Sequence, residues 1–259
     1  MSASMNIAGW KAWKAADYFR DYYGAEVQAD ERAAIRYQIE FLRKAEGRFA
    51  QAVEYGCGPT LMRAIAAAPY VESLDMADHL ESNLTQVRRW TAHDDASDDW
   101  SRFTRYALAC EGGPTPGDEE VRAREEMTRG RIGALLETDA FETHPLGPAR
   151  AASYDLLLSG FCVDCISQSR ELWRAALGNI VSLVKPGGAF VILALEGCAA
   201  YRAGDAWFPA ANVRQADLRQ ALLECGSEPA SLDVTRCVLP SHRAQGYEGI
   251  LLASGYCRF

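Results

Sequence analysis

The stretch Val53–Thr60, Val-Glu-Tyr-Gly-Cys-Gly-Pro-Thr, constrains the fold of this chain more than any other. An apolar run over Gln51–Tyr55 predicts a strand, two glycines follow it, and the alanine-rich run Leu61–Ala68 predicts a helix. A strand, a glycine turn and a helix form the first unit of a nucleotide-binding α/β sheet. Glycines in such a turn let a ligand approach the backbone, and the free N–H groups of the first helical turn face that ligand.

The same loop narrows the choice of ligand. A dinucleotide-binding fingerprint needs a third glycine three residues after the second, and Leu61 occupies that position. A P-loop needs Gly-Lys-Ser or Gly-Lys-Thr, and neither follows the glycines here. The next apolar run, Tyr70–Ala77, predicts a strand that ends at Asp78. An acidic residue about 20 positions after the loop is placed to bind two ribose hydroxyls. This combination indicates an adenosine ligand with a small polar tail, and S-adenosylmethionine fits that description.

Length and charge limit the class of protein and its partners. The 259 residues suffice for one large domain, or one domain with a cap. A net charge of −8 argues against a nucleic-acid partner, because a phosphate-binding surface needs excess Lys and Arg. The longest apolar runs, such as Ala189–Leu195, are well short of the roughly 20 residues that span a bilayer, and the N-terminus lacks the apolar core of a signal peptide. We therefore expect a cytoplasmic monomer that acts on a small aromatic substrate, without a nucleic-acid or membrane partner.

The eight cysteines are scattered along the chain, and a chain of this size does not depend on disulfides, so we expect reduced thiols. One Cys-x-x-Cys pair, Cys162 and Cys165, is compatible with a redox site or half of a metal site. No second pair and no histidine at ligand spacing accompanies it. We therefore expect no bound metal.

Strand and helix patterns alternate along the chain and predict an α/β fold, a doubly wound and mostly parallel seven-stranded sheet with helices on both faces. A long charged helix is predicted over Asp118–Leu136 and an aromatic loop over Tyr201–Pro209. The last two predicted strands have no helix between them, so we expect a C-terminal antiparallel hairpin. The predicted strands are Gln51–Tyr55, Glu72–Ala77, Phe103–Ala109, Tyr154–Ser159, Ala189–Leu195, Ser231–Val238 and Gly249–Tyr256.

Two helices are predicted ahead of the first strand, over Trp10–Tyr23 and Asp30–Arg43. We expect residues 1–47 to form a helical lid over the glycine loop and residues 48–259 to form the Rossmann-like domain. The alternative is that these helices pack on the flank of the sheet.

Polar residues cluster where the predicted strands end. Ligands of a parallel sheet bind beyond the carboxyl ends of its strands, so residues at these ends are candidates for one site. The residues at or near such ends are Gly56, Asp78, Asp139, Gly160–Asp164 and Glu196.

Several segments together resemble the nicotinamide, phenylethanolamine and indolethylamine N-methyltransferase family of S-adenosylmethionine-dependent enzymes. They run in the order of the family over nearly the whole chain. The Lys-Pro-Gly-Gly turn is general to methyltransferases, whereas the Asp-Tyr-x-x-x-Tyr-Tyr and Phe-Cys-x-Asp segments are more specific to this family. The matching segments are Asp17–Tyr23, Gly56–Thr60, Asn83-Leu84 with Trp90, Asp139 with Pro145–Gly147, Phe161–Asp164, Lys185–Gly188, and Tyr201 with Gly204.

The resemblance implies a class I methyltransferase fold and assigns two sets of residues. Those implied for S-adenosylmethionine are Tyr18, Tyr23, Gly56, Gly58, Thr60, Asp78, Asn83, Asp139, Ala140, Gly160 and Ile166. Those implied for the substrate are Phe161, Asp164, Glu196 and Tyr201. Asp164 and Glu196 are the expected catalytic residues, since a carboxylate holds an ammonium group and accepts its proton. The alternative is that each carboxylate only caps the helix that follows it.

The reaction implied by the resemblance is methylation of an aromatic amine or heteroaromatic nitrogen. Met62, Ala194, Cys198 and Ala210 replace residues of the nicotinamide enzyme, which favours an aromatic amine or indole-type substrate over nicotinamide. Transfer to an indole-type carbon, to sulfur or to oxygen would use the same cofactor site and stays open.

The sequence disfavours two other classes of protein. An inactive binding module of the same fold is disfavoured by the intact glycine loop with Asp78 and Asp139. A dinucleotide oxidoreductase is disfavoured by the missing third glycine.

Overall fold

A seven-stranded sheet forms the centre of the computed structural model, which describes residues 7–45, 49–113, 115–239 and 245–258. The strands in chain order are β1 (Phe49–Tyr55), β2 (Val71–Asp78), β3 (Ile132–Glu137), β4 (Tyr154–Gly160), β5 (Val184–Glu196), β6 (Ala200–Ala203), β7 (Ala206–Pro209), β8 (Asp233–Val238) and β9 (Gly249–Tyr256). The sheet has the order β3-β2-β1-β4-β5-β9-β8, and β6 pairs with β7 separately. Strands β1 to β5 are parallel, and β9 is antiparallel to both neighbours. The predicted mostly parallel sheet and its C-terminal hairpin are confirmed.

Helices cover both faces of the sheet. They are α1 (Ala15–Tyr22), α2 (Ala29–Lys44), α3 (Met62–Ala67), α4 (Glu81–Thr91), α5 (Ser101–Cys110), α6 (Asp118–Arg131), α7 (Arg170–Val181) and α8 (Gln215–Glu224). Side chains from α2 to α5 pack on one face, and those from α7 and α8 pack on the other. The strands supply both cores, since Leu156 and Leu158 of β4 belong to the first and Leu157 to the second. This alternation explains why β4 is apolar throughout.

Two predicted elements of the middle of the chain are wrong. The stretch predicted as a third strand, Phe103–Ala109, lies in helix α5, where Phe103 and Ala107 are buried four residues apart on one face. The predicted helix Asp118–Leu136 ends at Arg131, and β3 follows at once. The strand β3 is therefore formed by residues that the sequence pattern assigned to the end of the charged helix.

The segment predicted as an aromatic loop, Tyr201–Pro209, is instead the hairpin β6–β7. Tyr201 pairs with Phe208, and Gly204 takes a positive φ of 58° in the connecting turn. The hairpin contacts helix α1.

The first two helices occupy different positions. Helix α1 contacts α4 and β6, whereas α2 packs against α3, α5 and β9. Helix α2 is therefore part of the helical layer on the sheet. The predicted boundary between residues 47 and 48 lies outside the described residues. Within the described part of the chain, no helix is long and apolar enough to cross a membrane.

Candidate active site

A cavity of about 240 Å³ lies at the carboxyl ends of β1, β2, β3 and β4. Its walls include every residue that the sequence assigns to the cofactor, together with Phe161 and Tyr201 from the substrate set. The predicted residues in its lining are Tyr18, Tyr23, Gly56, Gly58, Thr60, Asp78, Asn83, Asp139, Ala140, Gly160, Phe161, Ile166 and Tyr201. Residues spread over nearly two hundred positions of the chain thus meet at one edge of the sheet.

The two loop glycines serve different purposes. Both have positive φ, +69° at Gly56 and +60° at Gly58, where a side chain would strain the backbone. A Cβ atom at Gly56 would lie 2.0 Å from the sulfur of Cys162, so this glycine makes room for a thiol of the protein. A Cβ at Gly58 would meet only the Thr60 methyl group, at 3.8 Å. Gly58 is therefore the position at which the loop is open to a ligand.

Asp78 joins the loop to the end of β2. Its carboxylate accepts hydrogen bonds from the backbone N–H of Gly58 at 2.8 Å and of Leu80 at 2.9 Å, and from Asn83 Nδ2 at 2.9 Å. Burial raises the pKa of Asp78, and these three donors act against that rise. The carboxylate both fixes the loop and lines the cavity, as expected for a group that binds ribose hydroxyls.

The far end of the cavity is built from the residues that follow β3. Thr138 forms a hydrogen bond of 2.7 Å with the hydroxyl of Tyr55, and its carbonyl oxygen lies 3.0 Å from His79 Nδ1. The next residue, Asp139, accepts a hydrogen bond from the backbone N–H of Phe141 at 2.9 Å. These bonds fix the segment that places Thr138 and Asp139 in the cavity wall.

An aromatic cluster of residues Trp10, Trp13, Tyr18, Tyr201 and Phe208 covers the cavity. Trp13 lies 4.7 Å from Tyr18, centroid to centroid, and Trp10 stacks on Phe208 at 5.4 Å. The cluster brings residues that precede α1 against the β6–β7 hairpin. Four of its five members line the cavity, so the cluster forms one wall of that space.

Hydrogen bonds tie this cover to the rest of the site. Trp13 donates its indole N–H to Asn83 at 2.9 Å, and Asn83 in turn donates to Asp78. The hydroxyls of Tyr18 and Tyr23 lie 3.0 Å apart. The hydroxyl of Tyr22 donates to the backbone oxygen of Arg202 in β6 at 2.7 Å. The N-terminal segment is thereby connected both to the predicted ribose site and to the hairpin.

The structure corrects the expectation that Asp164 and Glu196 face this cavity. Neither is among the described residues that line it. Asp164 is 1% exposed and accepts hydrogen bonds from Leu195 N at 2.8 Å and from the Cys165 thiol at 3.3 Å, while burial raises its pKa to about 6. Glu196 forms an ion pair with Arg236 on β8. Glu196 ends β5 as expected, whereas Asp164 lies four residues beyond the end of β4, in the turn Val163–Cys165. Neighbouring backbone and the edge strand determine where the two carboxylates point. Their catalytic role stays a prediction.

Three charged residues at the cavity were not predicted from the sequence. Glu31 of α2 and Arg63 of α3 form a buried ion pair, and Glu54 of β1 lies beside them with burial raising its pKa to about 8. All three line the cavity. The sequence contains two indications of these charges: Glu54 interrupts an apolar strand, and Arg63 interrupts an alanine-rich helix. Such charges inside buried elements need partners or a function.

A smaller cavity of about 20 Å³ adjoins the larger one. The two share six lining residues, which are Tyr18, Tyr23, Glu31, Phe161, Cys165 and Tyr201. Four further residues complete the smaller one, which are Tyr22, Asp30, Leu195 and Tyr247. Aromatic rings therefore dominate the space where the two cavities meet, and Glu31 supplies a carboxylate there.

Cys162 and Cys165 are both free thiols in the structure. Burial raises the pKa of each above its ordinary value, which disfavours the reactive thiolate. Across the described residues, no three His, Cys, Asp or Glu side chains are grouped as metal ligands would be.

The sheet order, the glycine loop and the cavity at the strand ends define the fold of a class I methyltransferase. The match to a family model gives the class of enzyme, an S-adenosylmethionine-dependent methyltransferase. The chain belongs to the NNMT/PNMT/TEMT family, whose model matches residues 6–252. The resemblance found in the sequence is thus confirmed.

Three known proteins illustrate the similarity. Phenylethanolamine N-methyltransferase of Macaca mulatta is 28% identical over 76% of this chain and 69% of its own length. Nicotinamide N-methyltransferase of Sus scrofa is 28% identical over 81% of this chain and 80% of its own. The 1,6-didemethyltoxoflavin-N1-methyltransferase of Burkholderia thailandensis, solved with S-adenosylhomocysteine, has a TM-score of 0.55 at 16% identity and covers 99% of this chain and 94% of its own. At that identity the structural likeness shows the fold.

Proposed function

We propose that this protein transfers the methyl group of S-adenosylmethionine to the nitrogen of a small aromatic amine. The observation that carries the proposal is the paired cavity, which joins the glycine loop and Asp78 to a region walled by aromatic rings and carboxylates. The relatives are named for phenylethanolamine, indolethylamine and nicotinamide, which are small nitrogen compounds. The departures at Met62 and Cys198 from the nicotinamide enzyme favour an amine over nicotinamide.

Some residues of the chain bind the cofactor, and others align the acceptor with it. S-adenosylmethionine, when bound, supplies a methyl group already activated on a sulfonium. The open face of Gly58 and the carboxylate of Asp78 suit the tail and ribose of that ligand, and Asp139 suits its adenine. The aromatic cluster excludes water and holds the acceptor in line with the reacting bond, which is the main source of rate in such a transfer.

We extend the proposal to the N-terminal segment and the setting of the protein. The part of the expected lid that precedes α2, residues 7–28, closes on the ligands, supported by the bonds from Trp13 and Tyr22 to the two sides of the cavity. The protein acts in the cytoplasm, supported by its eight free cysteines. It acts as a monomer, supported by the small number of large apolar side chains that are exposed among the described residues, which are Met127, Phe141, Leu172 and Val238.

The test is a survey of acceptors with S-adenosylmethionine, read by mass spectrometry as gain of one methyl group. The panel contains phenylethanolamine, indolethylamine and nicotinamide, with phenol and thiol analogues of the two amines. We expect turnover of an amine with equal formation of S-adenosylhomocysteine. Turnover confined to the phenols, the thiols or an indole carbon would contradict nitrogen as the acceptor. Tight binding of NAD with none of S-adenosylhomocysteine would contradict the cofactor.

A further inference from the structure

Arg63 is the only lysine or arginine among the described residues that line the larger cavity. The residues that the sequence assigns to the cofactor include no lysine or arginine. A ligand carboxylate that enters this space therefore has one permanently cationic side chain with which to pair. The carboxyl groups that line the same cavity are those of Glu31, Glu54, Asp78 and Asp139.

The Arg63 guanidinium is held by the protein but is not satisfied by it. The side chain is 4% exposed, and its Nη2 atom donates to the carboxylate of Glu31. Its Nη1 atom is buried and has no hydrogen-bond partner among the described residues. Because a buried donor without an acceptor is costly, this atom indicates a ligand that supplies an acceptor. A carboxylate is the acceptor that pairs most strongly with a guanidinium.

A second unpartnered atom lies close to Arg63. Oε2 of Glu54 is buried and has no hydrogen-bond partner in the described part of the chain. Burial raises the pKa of Glu54, and the nearby charge of Arg63 acts against that rise. A carboxylate oxygen accepts a hydrogen bond from an ammonium group. A ligand that carries a carboxylate and an ammonium on one carbon, as an amino acid does, would satisfy both atoms.

The order of the sheet places these two residues where the tail of the cofactor is expected. In the order β3-β2-β1-β4, Asp139 follows β3, Asp78 ends β2 and Glu54 lies in β1. A Cβ on Gly160, the last residue of β4, would lie 3.0 Å from Nε of Arg63. Strands are about 4.8 Å apart, so the end of β4 is roughly 10 Å from that of β2. With adenine at Asp139 and ribose at Asp78, the amino-acid tail extends over β1 towards β4.

We propose that Arg63 binds the carboxylate of the amino-acid tail of S-adenosylmethionine through Nη1, and that Oε2 of Glu54 accepts a hydrogen bond from the ammonium group of that tail. The inference goes beyond the proposed function, because it concerns the cofactor and holds for any acceptor atom. The guanidinium also lies 5.7 Å from the ring centroid of Phe161, so the tail adjoins the predicted acceptor site.

The surrounding charges support a bound zwitterion. Burial raises the pKa of Glu31 to about 7 and that of Glu54 to about 8. Near neutral pH the two acids therefore carry less than two negative charges, and they leave Arg63 available to a further anion. The ammonium group of the ligand favours the ionised form of Glu54 once it is bound. The tail thus brings one charge of each sign to a site that has a partner for each.

The experiment compares two ligands by calorimetry, S-adenosylhomocysteine and its carboxylate-free analogue, whose tail ends in an aminopropyl group. The wild-type protein should bind S-adenosylhomocysteine about 10- to 150-fold more tightly, the factor that corresponds to one hydrogen bond between charged groups. Arg63→Gln should reduce the affinity for S-adenosylhomocysteine by that factor, whereas the affinity for the analogue should not fall. Arg124→Gln is the matched control and should keep the preference, because Arg124 is a buried arginine that pairs with Glu111 away from the cavity.

A second variant guards against misfolding, because Arg63→Gln leaves Glu31 buried without its partner. The double variant Glu31→Gln/Arg63→Gln removes both charges and should show the same loss of preference with a normal thermal transition. A wild-type protein that does not distinguish the two ligands would overturn the inference, as would an equal loss of affinity for both ligands in the two variants. Unchanged affinity for S-adenosylhomocysteine, with weaker binding only of acceptors that carry a carboxylate, would overturn it and assign Arg63 to the acceptor. The titrations of the two ligands need no acceptor, so failure to methylate any amine would contradict the proposed function and leave this inference intact.

Discussion

Replacement of Asp78 by Asn should separate cofactor binding from folding. The carboxylate accepts hydrogen bonds from Gly58 N, Leu80 N and Asn83 Nδ2, all within 2.9 Å. An amide has one oxygen, so at least one of these donors loses its acceptor, and any ribose hydroxyl that binds here loses a charged partner. Hydrogen bonds to a charged group are worth about 1.5–3 kcal/mol, which corresponds to a loss of affinity of about 10- to 150-fold.

The assay is calorimetric titration of S-adenosylhomocysteine into the wild-type protein and Asp78→Asn, with the thermal transition recorded for each. Asp75→Asn is the control, because Asp75 lies on the same strand but bonds Tyr154 and Ala134 away from the cavity. We expect weakened binding for Asp78→Asn and unchanged binding for Asp75→Asn. The reverse order would show that the ribose does not bind at the end of β2.

Three further results are expected. The free energy of unfolding should fall as pH rises from about 4.5 to about 8, because folded Glu54 keeps a proton that the unfolded chain has lost. Glu54 contributes at most roughly 1.4 kcal/mol per pH unit to this fall, and Glu54→Gln should remove that contribution in urea titrations. Gly56→Ala should lower the melting temperature markedly, since its Cβ meets the Cys162 sulfur. Gly58→Ala strains the backbone at φ +60° without that clash, so it should lower the melting temperature less and weaken S-adenosylhomocysteine binding more; equal effects of the two variants on both properties would contradict the division between the two glycines. Trp13→Phe removes the bond to Asn83, so hydrogen exchange of residues 10–28 should slow less when cofactor product and amine are added than it does in the wild type; identical slowing would argue against a lid.

The parts of the fold that sequence predicts well are those with strong local signals. The glycine loop, the buried strands β4 and β5, and the two last strands carry patterns that few other folds produce. The error at α5 arose because a short run such as Phe103–Ala109 has enough apolar residues for either element, and only its packing decides. The strand β3 was missed because it follows the charged helix directly, with no loop between Arg131 and Ile132, and its place beside β2 is determined by tertiary contacts.

Prediction of the candidate site from sequence is limited in the same way, because local patterns do not determine tertiary contacts. Asp78 and Glu196 end their strands as predicted, but the direction of a side chain depends on its neighbours. Asp164 turns towards the N–H of Leu195 and Glu196 towards Arg236, partners that lie far along the chain. The ion pair of Glu31 with Arg63 joins two helices separated by a strand, and no period or motif connects those two residues.

Transfer of a deuterated methyl group is the most direct test of amine methylation by this protein. The protein is incubated with the best amine of the panel and S-adenosylmethionine labelled with CD3, and tandem mass spectrometry of the product locates the label. We predict a CD3 group on the amine nitrogen, formed in equal amount to S-adenosylhomocysteine and much more slowly by Asp78→Asn. A label on carbon, oxygen or sulfur, or a rate unaffected by Asp78→Asn, would contradict the proposed reaction at this site.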